Sequence, residues 1–179
     1  TGIGQGYIQT TPIQLCLMTA QIANGGYKIY PYIVVGDEQK NQPADKYIPL
    51  YENSKNIRII KDAMFGSTNE VMGTSYKSRI DNPKYQFAGK TGTAQVKKIT
   101  ERDRELDLKT FEIPYEERDH ALYVAFGPYK NPRYALSVIV EHGGNGSTTA
   151  APMAKKLFKL IIDRHNLRQS MDDRRYLEI

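Results

Sequence analysis

Lys90, Thr91, Gly92 and Thr93 stand side by side in the run Tyr-Gln-Phe-Ala-Gly-Lys-Thr-Gly-Thr-Ala-Gln-Val that spans residues 85–96. A cation flanked by hydroxyls suits a carboxylate, because the ammonium offers charge-assisted hydrogen bonds and each threonine adds a neutral donor. Gly92 leaves its backbone open to close approach. The chemistry such a segment suits is acyl transfer on a peptide with a free terminus. Side chains alternate along a strand, so Lys90 points to one face and Thr91 and Thr93 to the other. They converge on one ligand only at a sheet border. The strand around Lys90 is therefore expected at an edge, with a peptide paired along it through main-chain hydrogen bonds.

The elements that must position this strand follow from punctuation and period. Thr11 caps a helix that opens with Pro12, Gln14 completes a capping box, and Asn24-Gly25-Gly26 ends it. Ile13, Leu17 and Ala20, with Met18 and Ile22, mark its apolar positions. Residues 27–35 read as a short extended segment interrupted by Pro31, and 36–54 as loop. A second helix is expected from Ser54 to Phe65, with Ile57, Ile60 and Met64 inward. Between Lys97 and Asp119 eight acids face six bases, which makes a polar excursion. Residues 121–126 and 134–140 are β-rich runs joined by a turn-rich segment, a hairpin whose near-continuous apolarity implies burial on both faces. A last helix starts near Thr149, tolerates Pro152 and aligns Met153, Leu157, Leu160 and Ile161. Residues 166–179 form a charged tail expected to fray. Helices flanking an antiparallel sheet give an α+β layered fold.

Other reactive side chains are weaker candidates. Thr74-Ser-Tyr-Lys77 and Ser67-Thr-Asn69 imitate catalytic triplets, yet Gly66, Asn69 and Gly73 make that stretch read as a solvated turn. Cys16 lies among Leu15, Leu17 and Met18, where a thiol is ordinarily a small buried group. His120, His142 and His165 show no metal-ligand spacing, and no metal or cofactor is expected. His120 opens a strand, the place of a structural histidine rather than a base. The glycines of 143–146 suit a chain reversal more than an anion site. With 179 residues the chain is long enough for one domain with a real core, and nothing suggests two. Its net charge of +5 is spread among acids, which argues for an ordinary basic surface and against nucleic acid.

K-T-G is known as one of three motifs of penicillin-binding proteins and serine β-lactamases, beside S-x-x-K and S-D-N. The segments Gly2-Ile-Gly-Gln-Gly6, Thr10-Thr-Pro-Ile-Gln14 and Ala23-Asn-Gly-Gly26, upstream of Gly89-Lys-Thr-Gly-Thr-Ala-Gln95, resemble the order in class B penicillin-binding proteins. Arg118-Asp-His-Ala-Leu122, Ala125-Phe-Gly-Pro-Tyr129 and Glu141-His-Gly-Gly144 resemble the elongation-type members. The likeness implies the C-terminal part of a D,D-transpeptidase domain that acts on peptidoglycan stem peptides and is trapped by β-lactams. It implies that Lys90 supports the electrostatics of the site, that Thr91, Gly92 and Thr93 hold the terminal carboxylate, and that the Thr93 N–H forms half an oxyanion hole. No serine here has a lysine three residues on, so the nucleophile is expected upstream, and residues 1–179 are expected to be a partial domain, inactive alone. The likeness further implies an absent N-terminal membrane anchor, a place in the bacterial inner membrane facing the periplasm, and other wall-synthesis proteins as partners. A β-lactamase or D,D-carboxypeptidase of the same fold, or a non-catalytic penicillin-sensing module, are the alternatives.

Overall fold

The computed structural model describes residues 8–33, 48–97 and 108–177. Three antiparallel strands form one sheet in the order β1-β2-β3: β1 is Ala88–Ala94, β2 His120–Gly127 and β3 Tyr134–Val140. Lys90 pairs with Val124 and Thr91 with Tyr123, while Val124 in turn faces Ser137. The expected hairpin is β2–β3. Its apolarity is not answered by equal burial, however. Ala121, Tyr123, Ala125 and Phe126 of β2 are fully buried, whereas every residue of β3 is only half-buried, because β3 is an outer strand.

Helices cover the two faces. The first, α1, is Pro12–Ala23, with Thr11 and Gln14 closing the capping box. Ile22 and Ala23 of α1 join Met64, Ala88 and Phe126 in one core cluster, but Ile13 and Met18 are exposed. Cys16 is half-buried; its thiol donates to the Ala135 carbonyl, and burial pushes its pKa up, so nothing activates it as a nucleophile. The second helix, α2, runs from Ser54 to Asn69, one turn past the expected end at Phe65. Ile57 and Met64 turn inward, while Ile60 is exposed. Lys61 of α2 donates to the Ala23 carbonyl at 2.9 Å, tying the helix to the end of α1.

The third helix, α3, is Ala151–Leu177 and follows a single π turn at Gly146–Ala150. It packs on the sheet face opposite α1, through Ala151, Ala154, Phe158 and Ile162. The expected stripe of Met153, Leu157, Leu160 and Ile161 is displaced by one residue, and Leu160 is 66% exposed. Size explains the rotation. Two alanines let the helix axis approach the strands closely enough for Phe158 to stack on Phe87, ring centroids 5.0 Å apart. The backbone stays helical through Leu177, across most of the stretch expected to fray; beyond Pro152 the helix holds neither glycine nor proline to end it. Residues 28–33 form no strand, and Tyr27 makes one isolated bridge to Pro49. Residues 108–119 hold two short 3-10 turns, Thr110–Glu112 and Tyr115–Glu117; the rest of the polar excursion, 98–107, lies outside the described residues.

Candidate active site

β1 is a border strand: among the described residues it pairs with β2 alone. Two contacts fix which of its backbone groups face the open side. Asn69 Nδ2, in the last turn of α2, donates to the Phe87 carbonyl at 2.9 Å, and Lys90 Nζ donates to the Thr91 carbonyl at 2.9 Å. Backbone orientation alternates along an antiparallel strand, so Phe87, Gly89, Thr91 and Thr93 all turn their amide groups outward. The Thr93 N–H therefore lies on the same border as the Thr91 carbonyl.

Lys90 is exposed. Its ammonium bends around the border and also reaches Thr91 Oγ1 at 3.4 Å, so a cation and a hydroxyl from opposite faces meet at the edge. Beside it, a Cβ on Gly92 would meet Leu122 Cβ at 3.3 Å, and glycine keeps this side of the strand low. On the reverse side the chain is closed. Gly146 lies against the β1–β2 ladder so tightly that a Cβ there would come within 2.4 Å of the Leu122 carbonyl oxygen and 2.6 Å of that of Gly92. The strand is thus backed by the turn that starts α3, and its border has no strand partner among the described residues.

The stretch between α2 and β1 is more than a solvated turn. Ser67, Thr68 and Asn69 belong to α2, and Tyr76–Ser78 form a 3-10 turn. Thr74 Oγ1 lies 3.3 Å from Thr91 Oγ1 and 3.2 Å from Ser67 Oγ, a chain of hydroxyls leading to the K-T-G threonine. Behind it, the fully buried Tyr123 hydroxyl meets Thr68 at 2.9 Å and Ser75 at 3.0 Å. Burial pushes this phenol's pKa up, against the pull of the Ser75 and Thr68 hydroxyls, so it stays a neutral partner. Gly89 makes room for it: a Cβ would sit 2.3 Å from Tyr123 Oη. Sequence reasoning missed these supports. The only signal was the density of hydroxyls at Ser67, Thr68, Thr74, Ser75 and Ser78.

His120 stands at the far end of the site, paired with Ala94. Its Nδ1 accepts the His142 N–H at 2.9 Å, and the two rings meet edge to face at 4.8 Å. His142 holds this contact in a left-handed conformation, φ 53°.

The model of the penicillin-binding protein transpeptidase domain matches residues 1–159. This chain belongs to that family. The peptidoglycan D,D-transpeptidase MrdA of Salmonella typhimurium is 35% identical over 174 residues, which cover 90% of the chain and 26% of the relative. The enzyme of the same name from Acinetobacter baumannii is 35% identical over 162 residues, 87% of this chain and 23% of the relative. Among solved structures, Pseudomonas aeruginosa PBP2 in complex with WCK 5153 superposes with a TM-score of 0.69 at 36% identity, over 89% of this chain and 32% of that one. Helicobacter pylori PBP2 in complex with MreC gives 0.70 at 30% identity, over 90% and 26%. The chain spans about a quarter of the length of the curated relatives it matches. The α+β architecture belongs to this family's fold.

Proposed function

We propose that this chain supplies the K-T-G wall of a serine D,D-transpeptidase site, completed in the full-length protein by the hydroxyl nucleophile. The observation that carries the reading is the border strand with an exposed Lys90 and the outward amide of Thr93. A stem peptide lies along β1, its terminal carboxylate held by Lys90, Thr91 and Thr93. Attack by the serine on the penultimate carbonyl expels the terminal residue, and the Thr93 N–H with the nucleophile's own N–H stabilises the oxyanion. The amine of a neighbouring strand then resolves the acyl-enzyme and forms the cross-link. β-Lactams enter as mimics of the donor. In the full-length protein the domain faces the periplasm from an inner-membrane anchor and docks other wall-synthesis proteins, as the Helicobacter pylori relative is seen with MreC.

The test is capture of labelled penicillin. Full-length protein is expected to be acylated, and Lys90→Ala to be acylated about ten- to a hundredfold more slowly, the loss of a hydrogen bond to a charged group. Residues 1–179 alone are expected to capture none. Absence of labelling in the full-length protein, or a specific labelled serine within 1–179, would overturn the reading.

A further inference from the structure

A second concavity lies behind the K-T-G strand. A groove of about 910 Å³ runs between the 3-10 turn that follows α2 and the first three turns of α3. Lys77 stands on one bank and Lys155, Lys156 and Lys159 on the other, and no acidic side chain lines it. None of the four forms an ion pair among the described residues. The nearest acid on α3, Asp163, is turned to the Tyr85 hydroxyl, which donates to it. Three lysines at i, i+1 and i+4 repel one another on the same side of a helix and weaken it. That repulsion is relieved when an anion sits between the banks.

The lining is not simply basic. Tyr76 and Tyr85 belong to it, with the Arg79 guanidinium 4.0 Å over the Tyr76 ring and Lys84 Nζ 5.7 Å from the Tyr85 ring, and Thr148 adds a hydroxyl. Cations spread along both banks of a groove this long, with hydroxyls among them, match a sugar polymer that bears carboxylates at intervals better than a compact anion, which would not fill it. At one end the groove includes Thr74, whose hydroxyl touches Thr91 in the K-T-G strand.

We infer that the groove is an exosite for a carboxylate-bearing glycan strand, the uncrosslinked wall polymer itself, held apart from the reacting peptide; this rests on the function proposed above. Its role is to keep polymer beside the site between acylations. No bond is made or broken in it.

The experiment uses the full-length protein, its double variant Lys155→Glu/Lys159→Glu, and solubilised glycan strands with stem peptides attached. Wild type is expected to retain the strands, and the variant to bind them tenfold or more weakly, with unchanged thermal melting and unchanged labelled-penicillin capture. Strands whose carboxylates have been amidated should bind as weakly to wild type as intact strands do to the variant. If the variant folds poorly, Lys77→Gln/Lys156→Gln carries the same expectation. Equal retention by wild type and a folded variant would overturn the exosite, and displacement by polyglutamate at equal charge would overturn the glycan. Loss of penicillin capture by the wild type would sink the proposed transpeptidase instead, a separate readout from strand retention.

Discussion

Gly89 and Tyr123 form one unit, and a methyl group is enough to test it. Tyr123 Oη is pinned by Thr68 and Ser75 and cannot swing away from a Cβ at position 89. Gly89→Ala should therefore cost about 1–3 kcal/mol in denaturant unfolding, the range for overpacking a tight core. Tyr123→Phe should cost less, about 1 kcal/mol, because Thr68 and Ser75 each still donate to a carbonyl, those of Met64 and Ser67. A reversed order would mean that the hydroxyl cluster, and not the close approach, holds β1. A third residue gives stability a pH dependence. Burial, and the hydrogen bond it donates to Asp62, push the Tyr129 phenol up to about 12. In an unfolded chain a tyrosine titrates near pH 10. Folding thus favours the protonated form; the contribution is complete below about pH 10 and is lost as pH rises from there to about 12. Tyr129→Phe should flatten the loss of stability over that window in unfolding titrations.

Two contacts between elements set the position of β1, and each has a substitution that separates it from the rest. Asn69 Nδ2 donates to the Phe65 and Phe87 carbonyls, joining the end of α2 to the entrance of the strand. Asn69→Ala should lower stability by about 1–3 kcal/mol. Gly146→Ala places a methyl against two carbonyl oxygens that cannot rotate away, so the π turn must lift off the strand. It should slow labelled-penicillin capture by the full-length protein as well as destabilise it, because the turn presses on the backbone of Gly92. Neither contact was legible beforehand. The helices and strands themselves were, since Thr11, Gln14 and the β-rich runs specify them locally. So was the border position of Lys90, which the alternation of side chains required. What failed was the choice between neighbouring stripes: residues 153, 157 and 161 and residues 154, 158 and 162 of α3 have the same period, and only the size of the alanines against the sheet decides. Gly66 and Asn69 failed likewise. Glycine reads as a helix end, but here it lies within α2, and Asn69 is held there by a tertiary partner.

At the level of the whole molecule, the chain leaves large apolar side chains uncovered on α1 and α2, with Ile13 63%, Ile59 65% and Ile60 42% exposed. Exposed apolar side chains that come together in solution promote association. Residues 1–179 produced alone should bind a hydrophobic dye and self-associate in sedimentation, whereas the full-length protein should do neither. The sheet adds its own demand. Its two margins differ in character: β1 is guarded by the charge of Lys90 and thinned by Gly92, but Tyr134–Val140 holds no charge and no proline, and has no strand partner on its far side among the described residues. Under the function proposed above, one margin receives a visiting peptide and releases it. The other is a template for its own kind, so a preparation of this chain should nucleate fibres from β3 long before the ligand edge is spoiled.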